Sequence, residues 1–195
     1  MSTPAEIPTD GRIKRSERSR EAIVLSMLEL IAEGSLSPTA QQVAERADVG
    51  VRTVFRHFSD METLFAAMND RLSEQVTTLF VDAQQTGPLS QRIRAMVERR
   101  QTLFEKLSPY LRASAIQRER SEFLRAEHAR GVKRLRRDLH RWLVEIEDVP
   151  PEDAAALEAL LSFETYYHLR ADQKLSLRKT GAVLQRSVER LLPTT

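Results

Sequence analysis

The chain has 195 residues, of which 41% are hydrophobic and 30% charged, and its formal net charge is only +2. This composition is that of an ordinary globular protein with a sizeable core, and the absence of cysteine excludes disulfides and thiolate chemistry. No apolar run approaches the roughly 18 residues of a membrane span, and no secretory signal is visible, so we expect a soluble, cytoplasmic protein.

The first 19 residues are predicted to form a flexible basic arm. Residues 1–11 contain two prolines and small polar residues without periodicity. Basic side chains then follow within nine residues: Arg12, Lys14, Arg15, Arg18 and Arg20. Either these side chains bind DNA phosphates or a minor groove, or they form a solvated tail.

A first helix is predicted over residues 20–33, where apolar side chains recur at helical spacing and Gly34 provides a stop. Residues 35–38 connect it to the next element. Across residues 11–58 the eight basic side chains barely outnumber the six acidic ones. Net charge alone therefore does not indicate a nucleic-acid partner, and the position of the basic residues carries the signal.

Residues 39–58 form a helix-turn-helix pattern, with two short helices meeting at residues 47–50. Thr39 opens the first helix and Gln42 lies three residues on, which is a capping-box arrangement. The second helix carries polar side chains suited to phosphate oxygens or base edges among its apolar anchors. We predict that it is a recognition helix.

Residues from about 20 to 72 resemble the DNA-binding domain of TetR-family transcriptional regulators. The family's run Ala-Gly-Val-Ser-x-x-Thr-Leu-Tyr-x-His-Phe is matched here by Ala-Asp-Val-Gly-Val-Arg-Thr-Val-Phe-Arg-His-Phe over residues 47–58. Three positions depart from the family: Gly50 replaces a capping Ser, Phe55 replaces a Tyr, and Met61 replaces a Lys that commonly contacts phosphate. The resemblance implies an all-α fold of about nine helices, with an N-terminal three-helix DNA-binding domain and a C-terminal ligand-binding and dimerisation domain.

The predicted DNA contacts follow from this motif. We expect Thr39, Thr53, Arg56 and His57 to contact phosphates, Gln41 and Arg52 to contact base edges, and Arg12, Lys14 and Arg15 to contribute from the arm. Phe55 either meets a thymine methyl or a sugar, or packs as a core anchor. His57 likewise has an alternative role in helix packing.

Helical periodicity predicts six more helices in the rest of the chain. Caps at Ser59 and Asp60 mark the first of them, and Ser108–Pro109 is predicted to end the second. The predicted helices cover residues 61–86, 89–106, 110–117, 119–147, 152–170 and 176–192.

The helix predicted over 119–147 has an apolar face and an opposite basic face, which consists of Arg130, Arg134, Arg137 and Arg141. Residues 112–141 contain ten basic and four acidic side chains. The basic face either is solvated, or binds an anionic effector or accessory DNA.

The last two helices contain candidate seam residues, which are Leu157, Leu161, Leu177, Gly181, Leu184, Val188 and Leu191. The last five recur at spacings of four and three, as in a packed helix pair. The pattern fits either an internal contact or a four-helix dimer interface. The resemblance implies a homodimer, whose two recognition helices would bind half-sites of a pseudo-palindromic operator.

In the TetR family a small molecule usually binds between the middle helices and changes the separation of the recognition helices. The candidate pocket residues here are Met96, Arg100, Phe104, Tyr110, Phe123, Trp142 and Tyr166. Each has an alternative role in the core. The expected effector, of unknown identity, is mostly apolar, with an anionic group opposite an arginine.

Enzymatic motifs are not visible in the sequence. There is no Gly-rich phosphate loop, no nucleophile elbow and no His-Glu-x-x-His motif. Glu164 and His168 lie one turn apart, which fits either a metal ligand pair or, more simply, a polar spot at an interface. We therefore predict no catalytic site, no metal and no cofactor.

The sequence predicts a flexible arm over residues 1–19, a DNA-binding domain over 20–60, and an effector-binding and dimerisation domain over 61–195. The expected function is that of a repressor released from its operator by a small molecule. The alternative is a helical adaptor that keeps the fold but not specific DNA binding.

Overall fold

The computed structural model describes residues 9–81 and 86–192, with side chains except at positions 9, 10, 75 and 77–81. Within these ranges the chain forms nine α-helices and no strand. The helices are α1 (Thr9–Ala32), α2 (Ala40–Arg46), α3 (Val51–His57), α4 (Met61–Val81), α5 (Leu89–Arg118), α6 (Glu122–Trp142), α7 (Pro151–Leu160), α8 (Phe163–Tyr167) and α9 (Leu177–Leu191). A 3₁₀ helix (Val144–Asp148) follows α6, and a π-helical turn (His168–Asp172) follows α8.

The predicted all-α fold of about nine helices is confirmed. None of the described helices is long and apolar enough to cross a lipid bilayer.

The basic segment before residue 20 is helical, which corrects the predicted start of the first helix. Within this segment Arg15 Nε donates to the Gly11 carbonyl oxygen at 3.1 Å, and Ser19 Oγ donates to the Arg15 carbonyl oxygen at 3.1 Å. Arginine and glutamate are good helix formers, and adding a residue to an existing helix is easier than nucleating one. The basic side chains therefore lie on an extension of α1, while residues 1–8 of the predicted arm lie outside the described residues.

A first cluster of buried apolar side chains holds α1 to α4 together. Its members include Ile23 and Met27 of α1, Val43 of α2, Val54 of α3 and Phe65 of α4, each at most 1% exposed. The cluster continues into α5 through Ala113 and into α6 through Leu124. The N-terminal helices are thus packed directly against the C-terminal part of the molecule.

A second cluster is built around α5, which packs against α6 and α9. Gln101 of α5 is 8% exposed, and its Nε2 donates to the Leu177 carbonyl oxygen at 2.7 Å. A Cβ at Gly181 would lie 2.7 Å from Gln101 Oε1. Gly181 therefore allows the close approach of α9 to α5 of the same chain.

Two predicted helix boundaries are wrong. α5 continues through Pro109, because buried Phe104 before it and buried Ala113 after it anchor both halves of the helix. This packing offsets the hydrogen bond that proline cannot donate. Conversely, the helix predicted over 152–170 is interrupted at Ser162, whose hydroxyl accepts from the Thr165 amide at 3.2 Å and starts α8.

The helix α6 is shorter than predicted. α6 begins after Ser121, which caps it by accepting from the Leu124 amide at 3.0 Å, and ends at Trp142. The 3₁₀ helix occupies the remainder of the range predicted as helical up to residue 147. α4 is described up to Val81, and residues 82–85 of the predicted helix lie outside the described residues.

Candidate nucleic-acid interface and cavity

The start of α2 has the predicted capping box, which is confirmed. The Gln42 amide donates to Thr39 Oγ1 at 3.2 Å, and the Thr39 amide donates to Gln42 Oε1 at 2.8 Å. The Thr39 hydroxyl also donates to Gln42 Oε1 at 3.1 Å. These bonds satisfy amides of the first turn and fix the orientation of the exposed Thr39 side chain at the start of the helix.

The turn between α2 and α3 has the geometry of a Schellman motif. The Val49 amide donates to the Ala44 carbonyl oxygen at 3.0 Å, and the Asp48 amide donates to the Glu45 carbonyl oxygen at 3.3 Å. Asp48 occupies the left-handed position with φ of 53°. Aspartate tolerates this conformation better than most residues but at some energetic cost, whereas glycine adopts it freely.

We expect Asp48→Gly to raise the free energy of unfolding by about 1 kcal/mol, because it removes the Cβ that strains the left-handed conformation. Urea unfolding followed by circular dichroism measures the change. Asp48→Ala is the matched control, since it keeps the Cβ. Equal stability of the glycine and alanine variants would contradict the assignment of strain to this position.

The helix α3 is anchored by one face and presents the other to solvent. Val54 and the C-capping Phe58 are 1% and 3% exposed, whereas Arg52, Phe55 and Arg56 face solvent. Phe55 is 48% exposed, so the alternative in which it is a core anchor is wrong. Among the described residues Arg52 and Arg56 have no ion-pair partner, which leaves both guanidinium groups available to an anion.

The start of α3 is capped by Gly50 without a side-chain hydrogen bond. Its φ is −72°, and no atom lies within 4 Å of a Cβ built there. The backbone therefore does not require glycine at this position, and the serine typical of related sequences would fit.

His57 and Thr53 are half-buried at the margin of the exposed face of α3. The Nε2 atom of His57 is buried without a hydrogen-bond partner among the described residues. Burial, and then the positive charges of Arg56 and Arg20, lower the pKa of His57. Its Nε2 does not face solvent, so any contact of His57 with a phosphate would have to use another atom.

The other predicted contacts on α2 and α1 are exposed. Gln41 Nε2 donates to Glu45 Oε1 at 2.6 Å, which holds the amide on the solvent side of α2. The Arg20 guanidinium lies 4.9 Å from the ring centroid of Phe58, which places α1 beside the end of α3. The exposed Arg12, eight residues before Arg20, lies about 12 Å farther along α1 at 1.5 Å per residue.

One arginine of this region is already paired within the protein. Arg46, the last residue of α2, forms a two-pronged ion pair with Glu33 of α1, with an Nη2–Oε2 distance of 2.6 Å. The hydrogen bond with Arg46 lowers the pKa of Glu33. Arg46 therefore joins α2 to α1 and is distinct from the exposed arginines of α3.

A partly open cavity of about 230 Å³ lies between α4, α5, α6 and the α7–α8 region. Apolar side chains from four helices form much of its wall, including Leu72, Phe104, Leu135 and Phe163. The two ends of α6 are buried at Leu124 and Leu139, whereas Val132 in its middle is 47% exposed. The cavity thus forms where neighbouring helices do not pack closely against the middle of α6.

The cavity includes part of the predicted pocket. Arg100, Phe104 and Tyr110 line it, whereas Met96, Trp142 and Tyr166 are buried in the second core cluster. Phe123 packs against the first cluster. Lining residues absent from the prediction include Met68, Leu72, Leu103, Arg118, His128 and Val132. The stripe formed by Met68, Leu72 and Val76 at intervals of four on α4 was the available sequence signal.

Arg100 is the buried cation of this cavity. It is 2% exposed, and its Nη2 donates to the Leu135 carbonyl oxygen at 2.6 Å. Asp138 Oδ2 lies 3.6 Å from the same Nη2, an ion pair too long to be a hydrogen bond. Burial lowers the pKa of Arg100 to about 10, with Asp138 opposing this shift and Arg99 adding to it. The guanidinium remains protonated at neutral pH.

Two polar contacts connect the cavity wall with α4. Asn69 Nδ2 of α4 donates to Glu127 Oε2 of α6 at 2.9 Å, and both residues line the cavity. The Ser121 hydroxyl at the start of α6 donates to Glu62 in the first turn of α4. These contacts link α6 directly to α4, the helix that follows α3.

Most of the candidate seam residues are buried in the core of their own chain. Leu157, Leu161, Leu184 and Val188 are at most 3% exposed in the second core cluster. Leu177 is 45% exposed, while Gly181 and Leu191 are half-buried. A second copy that docked on α7 and α9 would have to use mainly their solvent-facing side chains, such as Val183 and Ala159.

His168, which lies one turn from Glu164 in the sequence, contacts a different carboxylate. His168 Nδ1 lies 2.9 Å from Asp172 Oδ2 within the π-helical turn. In the ranges 9–81 and 86–192, no three His, Cys, Asp or Glu side chains are grouped closely enough to hold a metal ion. The contact with Asp172 is a local hydrogen bond at the end of the helix.

Comparison with known proteins places the N-terminal helices in a recognised group. Residues 23–68 match the model of bacterial regulatory proteins of the tetR family. A transcriptional regulator from Rhodococcus sp. Rha1 has 20% sequence identity and a TM-score of 0.68, over 91% of this chain and 95% of its own. A candidate transcriptional regulator from Streptomyces coelicolor A3(2) has 22% identity and a TM-score of 0.63, over 91% and 99%. At these identities the two structures establish a shared fold alone. A search of curated proteins finds no match to this chain.

Proposed function

Because this chain belongs to the TetR family of transcriptional regulators, with a DNA-binding helix-turn-helix domain, we propose that it is a repressor that a small-molecule effector releases from a pseudo-palindromic operator. The observation that carries the proposal is the pair of faces on α3. Buried Val54 and Phe58 fix the helix, and Arg52, Phe55 and Arg56 stand on its solvent side. Such a helix has the length and chemistry to enter a major groove.

The proposed contacts divide into base and phosphate contacts. Arg52 and Gln41 contact base edges, since arginine binds guanine and glutamine binds adenine through paired hydrogen bonds. Phe55 contributes an apolar contact to a thymine methyl or a sugar. Arg56, Thr53, Thr39 and His57, with Arg12, Lys14 and Arg15 of α1, supply phosphate contacts that position the domain.

We further propose that the protein acts as a homodimer in the cytoplasm. One short recognition helix contacts only a few base pairs, and two related by a two-fold axis span half-sites about 34 to 36 Å apart. Residues 20–60 would bind DNA, and residues 61–195 would bind the effector and form the dimer. The dimer face is proposed on the exposed surfaces of α7 and α9, including Leu177 and Val183, which are 45% and 40% exposed.

The proposed release mechanism uses the contacts between α6 and α4. A ligand in the cavity would press on the wall that includes Asn69 and Glu127. A shift of α4 would move the attached α3, and so change the distance between the two recognition helices of a dimer. The ligand must bind the DNA-incompetent arrangement more tightly, since equal affinity for both would change nothing.

Selection from a pool of random duplex DNA tests the proposal. We expect enrichment of a pseudo-palindrome that binds two chains, with affinity that falls steeply as salt concentration rises. Sedimentation of the free protein and of the complex gives the stoichiometry. A folded protein that enriches no sequence would refute the regulator proposal and favour the adaptor alternative.

A further inference from the structure

A buried guanidinium group with unused hydrogen-bond donors faces the apolar cavity. Arg100 lines the cavity and is 2% exposed. Its Nε and Nη1 atoms are buried and have no hydrogen-bond partner among the described residues. Buried polar groups are nearly always hydrogen-bonded, and a buried donor on a charged group is particularly costly to leave without an acceptor.

The acidic side chain beside Arg100 is shared with a second arginine. Asp138 is the acidic side chain beside it, but the same carboxylate also accepts from Arg99 Nη2 at 3.3 Å. One carboxylate therefore contacts two guanidinium groups, and it does not satisfy the Nε and Nη1 donors of Arg100. The ion pair of Arg100 with Asp138 is long at 3.6 Å, so it leaves room for a closer acceptor.

Arginines outnumber glutamates among all the residues that line the cavity, Arg100 included. Five arginines and three glutamates line it. Glu127 and Glu158 are each paired with an arginine of the lining, Arg130 and Arg136 respectively. The lining also includes Glu164, Arg118 and Arg134.

The size and walls of the cavity restrict the ligand further. A volume of about 230 Å³ is below the roughly 300 to 1,000 Å³ of drug-sized sites. The walls that surround Arg100 include Leu103, Phe104 and Leu139. A small ligand with an apolar body and one charged end matches this combination.

We propose that the cavity binds a small amphipathic carboxylate, whose carboxylate accepts hydrogen bonds from Arg100 while its apolar part lies against α4 and α6. The carboxylate supplies the acceptor that the Nε and Nη1 donors of Arg100 lack among the described residues. A phosphate dianion has no apolar part to lie against these walls, and its second charge adds to the cost of burial. The inference rests on the proposed function in that it names the class of effector.

Isothermal titration calorimetry with matched probes tests the ligand class on the full chain without DNA. The probes are octanoate, 1-octanol and octylamine, which share an alkyl chain, and inorganic phosphate as an anion without an apolar part. We expect octanoate to bind about tenfold or more tightly than 1-octanol, because a charge-assisted hydrogen bond to a buried guanidinium is worth at least that factor. Octylamine and phosphate are expected to bind most weakly.

Arg100→Met tests the residue, because it keeps much of the side-chain volume and leaves Asp138 paired with Arg99. We expect this variant to lose the preference for octanoate over 1-octanol while it still binds the alcohol. Arg94→Met is the matched control, since it removes the same charge from an exposed position of α5. Should Arg100→Met fail to fold, the ranking of carboxylate, alcohol and amine on the unmodified protein decides the ligand class.

The outcomes separate this inference from the proposed function. Equal binding of octanoate and 1-octanol, no binding of octanoate, or an undiminished preference in folded Arg100→Met would overturn the inference. Any of these results together with selection of a palindrome would leave the DNA-binding proposal intact. Arg100-dependent octanoate binding without any change in operator affinity would support the ligand class and refute effector release.

Discussion

Phe58→Ala is expected to lower the free energy of unfolding by about 3 to 5 kcal/mol, the range for truncation of a buried phenylalanine. Phe58 is 3% exposed, and it fixes the end of α3 within the cluster that joins α1 to α4. Its ring also contacts the Arg20 guanidinium at 4.9 Å, so the change loosens α1 beside α3. Urea unfolding measures the loss.

Phe55→Ala is the matched control, three residues away on the same helix. Because Phe55 is 48% exposed, its truncation is expected to change the free energy of unfolding by no more than about 0.5 kcal/mol. Its effect should appear in DNA binding, with operator affinity reduced by about 1 kcal/mol through the lost apolar contact. Similar stability losses in both variants would show that the two faces of α3 are wrongly assigned.

Arg52→Ala is expected to weaken binding to the selected operator by about 1 to 3 kcal/mol, with a much smaller effect on random DNA. The physical reason is that its exposed guanidinium, which has no ion-pair partner among the described residues, is free to form paired hydrogen bonds with guanine. Fluorescence anisotropy on operator and random duplexes at equal salt measures the difference. Equal losses on both duplexes would remove Arg52 from the base-contacting set.

Arg12→Gln combined with Arg15→Gln is the comparison variant for non-specific contact. Both side chains are exposed on the N-terminal extension of α1. If they contact phosphates, operator and random DNA should lose affinity alike, and the salt dependence should fall by about one unit of slope per lost contact. An unchanged salt dependence would instead identify this segment as a solvated helix end.

The N-terminal motif was predictable because its determinants are local. Thr39 and Gln42 lie three residues apart, and their reciprocal hydrogen bonds form wherever a helix begins there. The alternation of buried and exposed positions in α3 likewise follows from helical period. The extension of α1 to Thr9 was missed, because the two prolines and small residues before it gave no periodic signal.

The pocket was only partly predictable, because the same apolar pattern is found in residues that line a cavity and in residues that are packed in the core. Phe104 lines the cavity, yet Met96 on the same helix is buried in the core. Both positions have the helical spacing of an apolar face, and only the distance to the neighbouring helix distinguishes a wall from a packed contact. The same ambiguity applies to α9, where Leu184 is 1% exposed within its own chain.

The sequence by itself determined the helical class, the position of the DNA-binding motif and the family resemblance. Capping, helical period and a contiguous motif are all set by neighbours within a few residues. The tertiary structure decided that α5 runs through Pro109, that most candidate seam residues lie in the chain's own core, and that Arg100 lines a cavity. Each of these depends on which helix packs beside another, because burial and unfilled volume are properties of contacts between residues distant in sequence.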